Sequence, residues 1–275
     1  MTSQMFALVV DTIQEARARK VIAALLLNGT LSIAALFWIL RTYPLSGPTS
    51  MVTLMSHTDY RYLNAQWVAR GIFGNASLIV YSVQLLLCLM TTMSLVPSLL
   101  DPARNAWIVS HPLSRASILL GRFLGCMVLA AGSFVYTFLG AWLVTGLKVN
   151  LWHWPFFFGI LTTLLLYCSL FAAMLSLHLL STSPTLMASG TMAIGMFNIA
   201  ASRPNELHGI TGGGWLYHSM LFVSGLLPKA AETAHLTNEY VQTGSFVSGS
   251  PLWTSGLFGA ACLALAAWRF SRKDL

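Results

Sequence analysis

LWHWPFFFGILTTLLLYCSLFAAMLSLHLL fills residues 151–180 without a single Asp, Glu, Lys or Arg. A helix needs ~20 consecutive apolar residues to cross a bilayer, and soluble folds avoid longer uncharged runs. The segment is therefore expected to be a membrane span. Working outward from it, uncharged runs of spanning length also cover 21–40, 78–100, 123–147 and 184–202, and a shorter one covers 252–268. The run 215–227 is too short to cross ~30 Å of hydrocarbon and is expected to form a re-entrant or interfacial helix.

The composition agrees with these runs. Of 275 residues, 56% are hydrophobic and 8% charged, against roughly 25% charged in soluble domains. Too little polar surface remains to solvate a globule, so lipid is the expected solvent for most of the chain. The net charge of +7 does not indicate nucleic acid, because the fifteen Lys and Arg residues stand singly or in small groups beside the apolar runs. Snorkelling and topology explain that placement. Cys88, Cys126, Cys168 and Cys262 lie inside apolar runs with no CxxC spacing, which supports neither a disulfide framework nor a zinc site.

Residues 4–19 set Phe6, Val9, Val10, Ile13 and Ala16 on one helical face, ahead of Arg17, Arg19 and Lys20. This predicts an amphipathic helix lying in the membrane interface. Its charges leave no room for the apolar core of a cleavable leader, so the first span is expected to act as the insertion signal. Basic residues near the span ends concentrate on the side holding 1–20, 101–122, 181–183 and 269–275. Both termini are thus expected to be cytoplasmic in a multi-pass protein of the plasma membrane. The predicted fold is a single all-α integral membrane domain over 1–275, with six spans and an N-terminal elbow helix.

No catalytic constellation stands out. The predicted spans contain no acidic residue, which removes the usual proton-relay groups. There is no G-x-x-x-x-G-K-[ST], since Gly212–Gly214 lead into Trp215, so nucleotide hydrolysis is not encoded here. His208, His218 and His235 are spaced by ten and seventeen residues, which fits no common metal-ligand pattern. Met187, Met192 and Met196 read as ordinary apolar filler. The run 184–202 is rich in small residues, and Ser189 and Ala193 form a small-xxx-small pair suited to helix association within or between subunits.

DPARNAWIVSHPLSRASILLGRF, residues 101–123, is the most informative extramembrane segment. Asp101 can cap a helix that begins at Pro102, and His111-Pro112 breaks it. The result is a short helix over 102–109 that offers Trp107, Ile108 and Val109 to a contact outside the bilayer. Packing of this helix back onto the membrane interface is the competing reading.

At this segment the chain resembles the permease subunits of type-2 export-class ATP-binding-cassette transporters. The resemblance is carried by Arg17-Ala18-Arg19-Lys20-Val21, SHPLSRASILLGRFLG at 110–125, GLLPKAAE at 225–232 and the terminal WRFSRKDL at 268–275. Ala103-Arg104 departs from the Gly-Thr of many relatives. The resemblance implies an export path shared with a second permease subunit in a homodimer or heterodimer. It also implies separate ATPase subunits that bind ATP and Mg, with no cofactor in this chain. Asp101, Pro102, Arg104, Trp107, Ile108, Val109, His111, Pro112 and Arg115 would then form the ATPase-coupling segment. Phe6, Val9, Val10, Ile13, Arg17, Arg19 and Lys20 would form the elbow. Asn28, Ser189, Gly190, Met192, Ala193, Met196 and Asn198 would line the pathway or the dimer interface.

Two other functions compete with this one. A non-transporting anchor would couple an ATPase to mechanical work on lipids or an envelope complex. An intramembrane enzyme would need a nucleophile constellation, for which Ser189-Gly190 and His178 are the nearest pieces.

Overall fold

The structure, a computed structural model, describes residues 2–43, 51–54, 65–100, 115–149, 151–181, 183–201, 214–246 and 248–272. The chain runs through α1 (Thr2–Ala18), α2 (Val21–Ile39), strands β1 (Leu40–Tyr43) and β2 (Met51–Leu54), then α3 (Ala65–Thr92). After α3 come α4 (Arg115–Val149), α5 (Phe158–Ser181), α6 (Pro184–Ala201), α7 (Trp215–Leu226), α8 (Ala230–Thr243) and α9 (Ser250–Ser271). Two 3-10 turns extend α3 to Leu100, and another over Trp154–Phe157 leads into α5.

Among the described residues, five segments are long and apolar enough to cross a membrane: Val21–Ile39, Arg70–Leu95, Ala116–Lys148, Trp154–Ser181 and Ser250–Ser271. This is the architecture of an all-helical multi-pass membrane protein. The one departure is the antiparallel ribbon of β1 and β2, with Leu40 opposite Leu54, which the apolar runs did not predict. Two spans also begin earlier than expected. The second reaches back to Arg70 and the third past Arg122, because a single charge does not end a helix whose backbone bonds continue.

The expected run 151–180 is the innermost helix. On α5, Leu166, Tyr167, Phe171 and Leu175 are buried, and Tyr167 stacks on Phe171 with ring centroids 5.5 Å apart. Polar side chains stitch the helices where hydrocarbon offers them no water. Tyr167 Oη donates to Thr92 Oγ1 of α3 at 2.8 Å. Gln84 Nε2 of α3 donates to Ser133 Oγ of α4 at 2.7 Å. Ser169 Oγ of α5 donates to the Ser255 carbonyl of α9 at 2.6 Å. Gly259 lets α9 approach so closely that a Cβ there would lie 2.9 Å from Ser169 Cα. The outer surface is apolar, with Leu26, Leu31 and Trp38 of α2, Val128 and Val135 of α4, and Leu257 of α9 exposed, as a lipid-facing surface must be.

The stretch between the short apolar run 215–227 and the last one at 252–268, for which the sequence predicts no helix, holds α8, packed against α3 and α5. Its sequence is polar, AAETAHLTNEYVQT, yet Thr233, Leu236, Thr237 and Val241 are buried. Each threonine donates to the carbonyl four residues earlier, at 2.7 Å, and Thr237 Oγ1 also reaches Thr162 Oγ1 of α5 at 2.8 Å. These bonds make burial of the hydroxyls tolerable. Glycine at 74 opens the notch, since a Cβ there would collide with Asn238 and Gln242 of α8. Seven residues along α3, Tyr81 Oη donates to the Ala230 carbonyl at 3.1 Å. α8 therefore runs antiparallel to α3, and the α7–α8 turn sits at the level of Tyr81. The expected short helix at 215–227 is present as α7, and the turn after it leads into α8. Glu232 is carried by α8, so an acidic residue does sit on a helix packed against two of the long apolar helices.

Where α8 ends, Trp142 Nε1 donates to the His153 carbonyl at 3.1 Å and His153 Nε2 bonds the carbonyl of Val241. Because a carbonyl only accepts, Nε2 carries the proton. Burial holds this imidazole below its usual range, opposed by the Val241 carbonyl and assisted by the nearby Arg70 charge.

Candidate functional site

Two regions combine buried chemistry with the residues singled out by sequence. The first is a clamp between α1 and α4. The face of α1 that meets α4 is Leu8, Thr12, Glu15 and Ala16, all buried. The apolar stripe Phe6, Val9, Val10 and Ile13 is instead partly or largely exposed, Phe6 at 71%.

Two glycines one helical turn apart on α4 receive this face. A Cβ at Gly121 would lie 2.6 Å from Leu8 Cβ, and one at Gly125 would lie 2.5 Å from Thr12 Cβ. Between them Arg122 Nη1 bonds Glu15 Oε2 at 3.0 Å and Ser98 Oγ at 2.6 Å, and Nη2 lies 3.9 Å from Asp11 Oδ2. Arg19 pairs with Glu15 Oε1 at 3.0 Å and donates to the Ser94 carbonyl at 3.0 Å. The clamp thus ties α1, the end of α3 and the start of α4. Lys20, in the left-handed conformation at φ 60°, then turns the chain from α1 straight into α2. Arg17 is exposed in the last turn of α1.

The second region is a cleft of about 320 Å³ between α3, α5, α6 and α8. Methionines 90, 93, 174, 192 and 196 line much of it, with Leu86 and Leu89. The sequence-derived candidates Met192 and Met196 are brought together here. Asn28 is not part of it, because its Nδ2 donates to Thr91 Oγ1 at 3.1 Å and ties α2 to α3. Gly190 faces α5, where a Cβ would meet Leu177 Cδ1 at 3.0 Å, whereas Ser189 and Ala193 lie on the exposed side of α6. Ser189 Oγ donates to the Thr185 carbonyl of its own helix at 2.9 Å, a bond that does not activate a nucleophile. The side chain of Asn198 lies outside the described residues, as do Asp101, Pro102, Arg104, Trp107, Ile108, Val109, His111 and Pro112. Arg115 begins α4.

Sequence reasoning missed the packing roles of Glu15, Gly121 and Gly125. Spacing held a signal for the glycines, because GRFLG is a small-xxx-small pattern suited to close helix approach. Against known protein families and curated proteins, no family model and no curated protein matches the chain.

Proposed function

We propose that this chain is the membrane-spanning permease subunit of a type-2 ATP-binding-cassette exporter, with ATP and Mg held in a separate ATPase subunit and a second permease subunit completing the path. The observation that carries this reading is the Glu15–Arg122–Ser98 clamp. It joins the elbow helix to the two helix ends that flank segment 101–114, so a push on that segment reaches two spanning helices at once. Two rigid helices held by a buried ion pair transmit displacement better than a solvated loop, because packed interfaces shift as units.

In this reading α6 is a sixth span. Its 18 residues give a length of about 27 Å at 1.5 Å per residue, close to the hydrocarbon thickness. With six spans both termini share one side of the plasma membrane, the side carrying Arg17, Arg19, Lys20, Arg122, Arg269 and Arg272, which the positive-inside rule makes cytoplasmic. The cleft beside α6 favours a path for cargo over a non-transporting anchor.

The test is to change Trp107 and Ile108 together to Asp, which strands two carboxylates in any apolar ATPase groove. The unaltered chain should retain an ATPase through detergent purification, and the variant should lose it while its spans stay inserted. Full retention with normal transport would overturn the reading.

A further inference from the structure

The hydroxyl groups that line the cleft are already hydrogen-bonded to backbone carbonyls. Ser82 Oγ donates to the Leu78 carbonyl, Thr191 Oγ1 to the Met187 carbonyl and Tyr81 Oη to the Ala230 carbonyl, at 2.9, 2.8 and 3.1 Å. Lys229, next to the lining residue Ala230, is committed to both oxygens of Glu232 at 3.0 Å. Among the described residues no Asp, Glu, Lys or Arg lines the cleft; besides the Tyr81 phenol, which is spent on the Ala230 carbonyl, its ionisable lining group is His235. Its imidazole, on the exposed side of α8, makes no hydrogen bond among the described residues. The cleft therefore has an apolar body and a single hydrogen-bonding handle at one edge.

Its surroundings select the occupant. Leu86 and Met90 of α3 and Met196 of α6 are exposed, at 47%, 44% and 72%, and they belong to the lining, so the cleft opens through apolar side chains of a spanning helix and its neighbour. The medium at such an opening is hydrocarbon. Five thioethers give the wall side chains that re-pack around chains of differing shape, and the volume falls within the range of small-molecule sites.

We propose that this cleft binds a single-chain amphiphile from the bilayer, its apolar chain among the methionines and its uncharged hydrogen-bonding head at His235. That the amphiphile is the exporter's cargo rests on the permease reading; its binding does not. An anionic head would lack a counter-charge, because Lys229 already has one.

The test uses the full chain in lipid nanodiscs without any ATPase. A diazirine-bearing dodecanol is photolysed and the labelled peptides are mapped by mass spectrometry. Label should concentrate on the peptides bearing Met90, Met174 and Met192. It should be displaced by dodecanol but not by dodecane, and that preference should vanish in His235→Leu. Ala234→Trp, which fills the cleft from α8, should lose the cleft label while retaining the label on the lipid-facing residues Leu124 and Val128. An unchanged helical circular dichroism spectrum shows that the plugged variant still folds.

Label spread evenly over the lipid-facing helices would overturn the proposal. So would equal displacement by dodecane in the unaltered chain, or absence of cleft label together with disulfide cross-linking of Met196→Cys between two copies, which would mean that a second subunit covers the cleft. None of these outcomes depends on an ATPase, so failure here is distinct from failure of the permease reading.

Discussion

Glu15 of α1 and Arg122 of α4 meet at 3.0 Å with only 6% and 5% of their side chains exposed. A pair so deeply desolvated is a weak source of net stability, because the cost of removing two charges from water offsets their attraction. Its effect is on placement: an unpaired charge at either position is costly, so α1 has one acceptable seat on α4. Arg122→Leu leaves buried Glu15 with only the half-exposed Arg19 as counter-charge and should destabilise the protein by about 1–3 kcal/mol, whereas Glu15→Leu with Arg122→Leu should be much milder than the sum of the singles. Thermal unfolding of the three variants in one detergent checks this, and additive effects would mean that the two charges do not depend on each other.

The glycines beside Arg122 make a separate prediction. Because a Cβ at Gly121 or Gly125 would strike the Cβ atoms of Leu8 and Thr12, neither contact can relax by swinging a flexible chain end. Gly121→Val and Gly125→Val should each cost about 1–3 kcal/mol through overpacking and raise protease cleavage within α1. Gly132, further along the same helix, has open space where a Cβ would go. Gly132→Ala should stabilise by up to about 1 kcal/mol through helix propensity alone. If all three variants shift the melting temperature alike, the close approach of α1 is not what the glycines serve.

The spans were legible because lipid demands a simple property, an uncharged run of sufficient length, and five such runs became helices of the expected kind. Their ends were not legible. Arg70 and Arg122 lie within helices that the charge pattern stopped too soon, and Arg122 is tolerated there only because Glu15, distant in sequence, comes to it. α8 was illegible for the same reason in stronger form. Its threonines look solvated until the i−4 carbonyls and the notch at Gly74 are in place. On α1 hydrophobicity could not tell an outward apolar face from the face that meets protein: Phe6, Val9, Val10 and Ile13 stay partly or largely exposed, whereas Ala16 of the same stripe is buried together with Leu8, Thr12 and Glu15.

His153 should make the α4–α5 turn sensitive to acid. Burial depresses its folded-state pKa below the ordinary value of 6.5, so the folded protein favours the neutral ring. Between the two values the unfolded chain binds more protons, and stability rises with pH there. The contribution is complete above about 6.5 and is lost as pH falls through the lower, folded-state value. His153→Gln keeps a donor for the Val241 carbonyl but does not titrate. Melting temperatures measured from neutral pH down to about pH 5 should fall more steeply for the unaltered chain than for this variant. Parallel curves would place the acid sensitivity elsewhere.

Assembly should depend on one side of α6. Leu186, Ser189 and Ala193 are all exposed and repeat at helical spacing, so they form a stripe that carries the small pair Ser189 and Ala193, apart from the cleft mouth at Met196. If a second permease subunit packs there, a large side chain at the centre holds the backbones apart. Ala193→Leu should then shift the purified protein from dimer toward monomer with little change in its melting temperature. Gly190→Leu should do the reverse, because its Cβ meets Leu177 of the same chain and the extra bulk would wedge α6 from α5. Light scattering in detergent paired with thermal unfolding separates the two effects. A dimer unaffected by Ala193→Leu would show that the subunits meet through another helix, and the largely exposed α2 would be the next surface to test.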